Sequence, residues 1–445
     1  MIPIKFCVRN SPTQVRLINI AIVGAGTAGC ASALFLSKYN QHKVSIFERV
    51  EKPYSVGAGL LLQPTGMYAL NRLGLLDEVK QKGTQINRLR AETSKGRGLF
   101  DIKYSMLHPD AFGLGIHRGE LFQHLYNAVT NNKSIKVLTN THITNVEQTD
   151  GKVVLNTTGV SQGPFDLVIA ADGARSHLCR TNPLLMTLTR RHRVYPWGTL
   201  WFVVKDPENK FGDTLHQTVQ GTKKMLGILP NGYHDGERVV SVFWSVPTSI
   251  KDTWRKTLDI EALKNEICCV QPLAKPLVDQ LHSIDQLTFA DYYDTILENP
   301  YHGRVVVVGD ACHAMSPQLG NGANLALWDS MVLSTFLQNN DTVEQALKGF
   351  AAERKPHVRF YGMCSRMLTP YFQSNSKVLG WGRDAFMGPF SSIPFVGKQM
   401  ATVLSGVKRG VINKYDERTL VQAISGRRAL DNSDHDDKVL IRNII

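Results

Sequence analysis

Two runs of this chain join a β-rich stretch to glycines at a spacing suited to anionic ligands. The first is Ile20-Ala21-Ile22-Val23-Gly24-Ala25-Gly26-Thr27-Ala28-Gly29, and the second is Val305-Val306-Val307-Val308-Gly309-Asp310, which runs on to Gly320-Asn321-Gly322-Ala323-Asn324. A helix that starts at such a turn presents unpaired backbone N–H groups at the positive end of its dipole. A single anionic ligand long enough to use both turns is a dinucleotide. In the first run Gly24 permits the tight exit from the strand, Gly26 lets backbone approach a pyrophosphate, and Gly29 lets helix pack closely on strand. Glu48, followed by Arg49, lies 19 residues beyond Gly29, the spacing at which a carboxylate reaches an adenosine ribose. In the second run Asp310 stands at a strand end, where it can accept from a polyol hydroxyl. The glycine-flanked helix start at Gly320–Gly322 can stabilise negative charge on a nearby ring.

Other chemically suggestive residues have plainer readings. Asp172 and Arg175 follow the apolar run Leu167–Ala170 in an Asp-Gly turn, which is a frequent way to end a strand. His313 lies inside the second run, where packing or a local hydrogen bond is its expected role. Trp197, Trp201, Phe243 and Trp244 either line an aromatic pocket or fill a core, and both readings stay open. Cys268 and Cys269 read as two buried thiols and Cys312 as a small filler. The seven cysteines are scattered without a Cys-x-x-Cys pair, which argues against a disulfide framework and a metal site.

The elements that would hold these residues follow from hydrophobic periodicity. Strands are expected at Leu17–Val23, Lys43–Phe47, Ile135–Leu138, Phe165–Ala170 and Val305–Val308. Helices are expected at Ala28–Tyr39 and Glu120–Thr130, with a hairpin turning at Asp150-Gly151. Between Pro196 and Val246 the pattern becomes β-rich, as a separate sheet would be, and from Asn324 onward it is mostly helical. No run reaches the roughly 18 apolar residues of a membrane span, Met1–Arg16 lacks the apolar core of a signal peptide, and a cytoplasmic location is expected. The net charge of +13 suits nucleic acid, an anionic membrane or an anionic cofactor. No aromatic–basic interleaving accompanies it, so nucleic acid is not expected; weak membrane-surface contact stays open.

These motifs, with Gly57-Ala58-Gly59-Leu60-Leu61-Leu62-Gln63-Pro64 and Ile116-His117-Arg118-Gly119-Glu120-Leu121, make the chain resemble the class A, single-component FAD-dependent aromatic hydroxylases over residues 17–385. The resemblance implies an α/β fold: a glutathione-reductase-like FAD-binding Rossmann domain (17–75, 106–182 and 291–360), an inserted β-sheet substrate domain (76–105 and 183–290), and a helical C-terminal region and tail (361–445). It implies non-covalent FAD, held by Gly24, Gly26, Ala28, Gly29, Glu48, Arg49, Arg118, Asp172, Asp310, Gly322, Ala323 and Asn324. Pro317, Gly320, Asn321 and Gly322 would position the flavin for catalysis, with no side-chain base assigned. The implied reaction takes NADH or NADPH as transient reductant and O2, and hydroxylates or epoxidises a small aromatic or polyketide-like substrate through a flavin C4a-hydroperoxide. A reductase or dehydrogenase of the same fold is the alternative. A non-catalytic prenyl-lipid escort of this fold would carry a degraded flavin site, whereas the flavin motifs here are intact. Oligomeric state is not legible.

Overall fold

The chain is described by a computed structural model at residues 17–40, 42–54 and 57–426; the N-terminal extension and the end of the tail lie outside the described residues. Its first sheet has six strands in the order Tyr301–His302, Val305–Val307, Leu167–Ala170, Asn19–Val23, Lys43–Phe47, Ile135–Leu138. All neighbours are parallel except the edge pair Tyr301–His302 and Val305–Val307. Apart from Asn19, the strands Asn19–Val23, Leu167–Ala170 and Val305–Val307 are continuous runs of Ile, Val, Leu and Ala because both faces are covered. Helix Thr27–Asn40 packs on one face against helix Gly322–Asn339, and Ser32 Oγ meets Ser330 Oγ at 2.9 Å. The parallel order brings the C-terminal ends of Asn19–Val23, Leu167–Ala170 and Val305–Val307 side by side. Ligands bind at that edge in open α/β sheets.

The hairpin forms as its turn chemistry dictates, with strands Asn145–Thr149 and Lys152–Asn156 joined through Asp150 at φ 51° and Gly151 at φ 72°. The apolar run expected as one strand at Phe165–Ala170 is divided. Ser161–Phe165 joins the hairpin and Leu167–Ala170 joins the large sheet, because the Asp166 carboxylate turns aside to accept the Asn19 N–H at 2.8 Å.

A second sheet has seven strands in the order Thr288–Ala290, Trp197–Lys205, Glu237–Pro247, Lys224–His234, Thr214–Gln220, Arg88–Thr93, Gly98–Lys103. Segments far apart in sequence thus share one sheet, through the parallel pairing of Thr214–Gln220 with Arg88–Thr93. Leu200, Phe202, Val240, Val242 and Trp244 point to one face and are buried against the segment containing helices Trp254–Thr257 and Ile260–Val270. Helix Ile260–Val270 buries Leu263, Ile267 and Val270, which places Cys269 on its exposed arc and leaves Cys268 half-buried. The two cysteines are therefore not the buried pair expected, because a helix that buries positions 263, 267 and 270 turns 268 and 269 away. The other sheet face meets strands Gly59–Leu62 and Gly113–His117, where the Gly59 N–H donates to Ser241 Oγ at 2.6 Å. Helices Val343–Phe372, Lys377–Ser391 and Pro394–Leu404 follow, with Phe372 packed among Ala91, Leu99 and Val219.

Candidate functional site

The site begins where three strand ends meet. Gly24, at φ 102°, has its α-carbon turned to Ala171: a Cβ there would lie 2.6 Å from the Ala171 carbonyl oxygen. At Gly29 a Cβ would lie 1.9 Å from the Gly24 carbonyl oxygen, so helix and strand close on each other only without side chains. Gly26 differs, because nothing in the protein lies within 4 Å of its missing Cβ. Two of the three glycines therefore serve packing, and the third faces open space at the end of a helix. Gly309, at φ 61°, closes the group: its missing Cβ would sit 2.8 Å from the Ala28 Cβ, so the two glycine turns touch.

Carboxylates flank this junction, and two arginines lie exposed on neighbouring segments. Glu48 accepts the Ala25 N–H at 2.8 Å and the Val50 N–H at 3.0 Å, which fixes the carboxylate beside the first turn. Beneath the turn, burial and the Glu48 charge push the Cys30 thiol up to about 12, so it stays protonated and donates to the Ala25 carbonyl at 3.0 Å. Arg118 is exposed, its stem lies over Gly57, and its guanidinium has no carboxylate partner among the described residues. Arg49 is likewise exposed and without such a partner there. Asp310 is half-buried, its side chain accepts no hydrogen bond among the described residues, and its Oδ1 faces Gly322, 3.6 Å from where a Cβ would be. Asp172 sits differently: Oδ2 accepts the Leu178 N–H at 3.3 Å and Oδ1 is buried without a partner. Arg175 leaves the group altogether, pairing with Asp291 at 2.6 Å.

Beyond Asp310, the segment Pro317–Ala323 is accessible except for Asn321, and it is bracketed by buried Ser316 and Asn324. Pro317 opens a single 3-10 turn, Gly320 ends it in the left-handed region at φ 62°, and the helix starts at Gly322. The Asn324 side chain is fully engaged: it accepts the Gln63 N–H at 2.8 Å and donates to Leu61 and Gly320 carbonyls at 3.0 Å. What Asn324 leaves for a ligand is therefore its backbone. Asn321 donates to the Leu319 and Leu404 carbonyls at 3.2 Å, while its Oδ1 is buried without a partner. Gln63 completes this end. It is fully buried, accepts from Tyr104 Oη at 2.6 Å, and its unpartnered Nε2 lies 3.9 Å from the Cβ position of Gly320.

The aromatic residues left open by sequence divide by strand alternation. Leu200 pairs with Trp244, whose side chain belongs to the core beside Trp254. Trp201 pairs with Phe243 on the opposite face, the one that carries Ser241, and both are half-buried. Phe243 packs against the cluster of Leu61 and Tyr104, which adjoins Gln63 and Gly320. Trp197 is buried.

Behind the turns lies an ionic network that the sequence does not announce. The Asp329 carboxylate accepts the Gly309 N–H at 2.8 Å, His313 Nε2 at 2.6 Å and Arg354 Nε at 2.7 Å, all of them buried. These donors hold its pKa far below the usual carboxylate range despite the opposing effect of burial. Arg354 also contacts His357, which burial and the neighbouring guanidinium keep neutral. Glu353, paired with Arg409 and accepting from Tyr415 Oη at 3.0 Å, extends the network to the chain past residue 404. His313 thus has the local bond expected of it. Its partner lies 16 residues away and about two turns into the next long helix, which is why motif spacing did not disclose the pair.

With the fold and geometry described, comparison with known proteins identifies the class. The family model described as FAD binding domain matches residues 18–361. The kynurenine 3-monooxygenase of Salinispora arenicola is 27% identical over 365 residues, covering 76% of this chain and 76% of that protein. The 6-hydroxynicotinate 3-monooxygenase of Bordetella bronchiseptica is 24% identical over 349 residues, covering 76% and 89%. Among solved structures, Klebsiella pneumoniae HpxO complexed with FAD and uric acid aligns with a TM-score of 0.73 at 21% identity, over 89% of this chain and 98% of that one. The chain belongs to the FAD binding domain family, and its kind is that of the FAD-dependent monooxygenases of class A, as the sequence resemblance implied. The mixed α/β architecture is likewise that of the resemblance.

Proposed function

We propose that the chain binds FAD non-covalently and, with NADH or NADPH and O2, inserts oxygen into a small aromatic or polyketide-like substrate. The observation that carries this reading is one accessible backbone segment, Pro317–Ala323, with the Asp310 carboxylate, unengaged among the described residues, facing Gly322 at one end and Leu61 and Gln63, which adjoin the cluster holding half-buried Phe243, beside Gly320 at the other. The residues present fit the cofactor. Gly26 leaves the space a pyrophosphate needs, Glu48 stands ready to accept from ribose hydroxyls, and Arg118 and Arg49, without a carboxylate partner among the described residues, offer guanidinium groups to phosphate or adenosine. Asp310 accepts from the ribityl hydroxyls. Backbone N–H groups at Gly320–Ala323, at the start of an 18-residue helix, stabilise negative charge on the ring.

Bound FAD supplies hydride acceptance and oxygen activation, and the protein's part is to orient, to exclude water and to hold charge. Gln63 Nε2, buried and without a partner, offers one more donor at the same end. Pro317 would bound the space beside the segment, and Phe243, packed beside Leu61, would give an apolar surface on which a planar substrate can stack. Two relatives are named for kynurenine and 6-hydroxynicotinate, both small aromatic molecules, which supports that substrate class.

The test is turnover of a panel of phenols and nitrogen-containing aromatic acids with NADH or NADPH under isotopically labelled O2. Label in the product, and yellow flavin released on denaturation, are expected. Unlabelled product, with turnover that persists without oxygen when another electron acceptor is present, would assign the chain to the reductases of this fold instead.

A further inference from the structure

Helix Lys377–Ser391 is amphipathic in an inverted sense. Its protein-facing side is made by Gly380, Arg383 and Gly388: the Gly380 Cβ position lies 3.1 Å from Thr222, that of Gly388 lies 2.5 Å from the Gly98 carbonyl oxygen, and Arg383 is buried against Phe372. Small residues let the helix lie close to the sheet, where Met387 packs against the Phe372 cluster, and most of the other large apolar side chains are turned outward. Val378 is 76% exposed, Trp381 68%, Phe386 65% and Phe390 62%, and the next turn and helix start add Ile393 at 47% and Phe395 at 71%. Scattered exposed apolar residues need no explanation, but six within 18 positions, on one helix and the turn and helix start that follow it, are a concentration of the kind that marks an interface.

The charges around the patch select the partner. Between Gln373 and Val407 the charged residues are Lys377, Arg383, Asp384 and Lys398, and the single carboxylate is bonded by Arg383 at 2.6 Å. The loops against which the helix rests add exposed Lys95, Arg97 and Lys223, with Arg97 donating to the Ala385 carbonyl at 2.9 Å. An apolar, aromatic-rich surface rimmed by lysines that have no carboxylate partner among the described residues is complementary to an anionic bilayer interface, where aromatic rings enter the headgroup layer and cations meet phosphate. A second copy would bring a second rim of the same sign to the interface without adding a free carboxylate to it, which like-charge repulsion opposes.

We infer that helix Lys377–Ser391 and the start of helix Pro394–Leu404 form a monotopic docking surface for anionic phospholipid membranes. Binding is interfacial: among the described residues no helix is long and apolar enough to cross a membrane. The surface does not depend on which substrate the site accepts.

The test uses the full-length, FAD-loaded protein in co-sedimentation with phosphatidylcholine vesicles, with or without phosphatidylglycerol. Binding to the anionic vesicles is expected, weakening as salt is raised. Each of Trp381→Ser, Phe386→Ser and Phe390→Ser should lower the partition coefficient about tenfold, the size expected for withdrawing an aromatic side chain from an apolar layer. Val160→Ser, at another exposed apolar site (64%) outside these helices, should leave it unchanged. These positions are exposed, so flavin content and circular dichroism should match the parent. Brominated lipid should quench Trp381 fluorescence, a loss absent in Trp381→Ser. Three results would overturn the inference: equal sedimentation of the parent and a variant carrying all three serine substitutions, Trp381 already shielded from acrylamide without vesicles, or a salt-resistant dimer that this combined variant dissolves while the parent ignores vesicles.

Discussion

Asp329→Asn probes whether the buried network sets the cofactor turn. The carboxylate accepts three buried donors, and its charge offsets the Arg354 guanidinium. An amide of the same shape has one acceptor oxygen. If that oxygen stays on Arg354, the amide nitrogen confronts the Gly309 N–H and leaves it without a partner. Breaking a buried ion pair on one side costs about 3–5 kcal/mol, because the remaining charge is buried and unpaired. At about 1 °C per kcal/mol for a chain of 445 residues, the melting temperature should fall by about 3–5 °C. Gly309 immediately precedes Asp310, so loss of its charge-assisted bond should also weaken FAD binding, by on the order of tenfold for each 1.4 kcal/mol that reaches the site. Differential scanning calorimetry of the flavin-free and flavin-loaded forms, with equilibrium FAD titration, measures both quantities. Asp329→Leu combined with Arg354→Met, which removes both charges, should recover a good part of the stability. An Asp329→Asn protein that melts within about 2 °C of the parent and binds FAD unchanged would refute the assignment of the network to this turn.

Asp310→Ala should reduce FAD affinity more than Asp172→Ala, since the Asp310 carboxylate is unengaged while Asp172 already accepts from Leu178; equal dissociation constants in parallel titrations would count against this. Gly26→Ala should leave the flavin-free protein as stable as the parent yet bind FAD poorly, because its Cβ enters space that no protein atom occupies, whereas Gly29→Ala should lower stability itself; solubility, melting temperature and flavin content separate the two. Stability should decline in mild acid. Burial lowers His42 and His117 from 6.5 to about 4 and keeps His357 neutral, so each takes up a proton on unfolding. Their contribution is full above about pH 6.5 and falls towards pH 4, by about 1.4 kcal/mol per pH unit for each histidine, and urea titrations at pH 7 and pH 5 would show whether it does.

Local requirements were legible from sequence. Gly24, Gly26 and Gly29 with Glu48 belong to one strand–helix–strand unit, and strand Lys43–Phe47 begins and ends where the apolar run does. Asp150-Gly151 declared its hairpin because two successive residues with positive φ have few alternatives. Each of these features depends on steric and hydrogen-bonding rules that act within a few tens of residues. The tertiary structure alone decided what met across the chain. Asn324 bonds Gln63, 261 residues away, and Ser241 bonds Gly59, 182 residues away, neither of which any spacing rule could pair. Strand alternation could put Trp201 and Trp244 on opposite faces only once their pairing register was known, and the register depends on which face the helices from Trp254 onward cover. Asp329 lies in an apolar helix whose sequence gives no sign of a buried cation. The structure supplies Arg354 from the next helix, and a carboxylate taken out of water requires such a partner. The outward aromatic arc at Trp381–Phe390 follows the same logic, because periodicity marks the two sides of a helix, while the sheet beneath Gly380 and Gly388 determines which side is left to solvent.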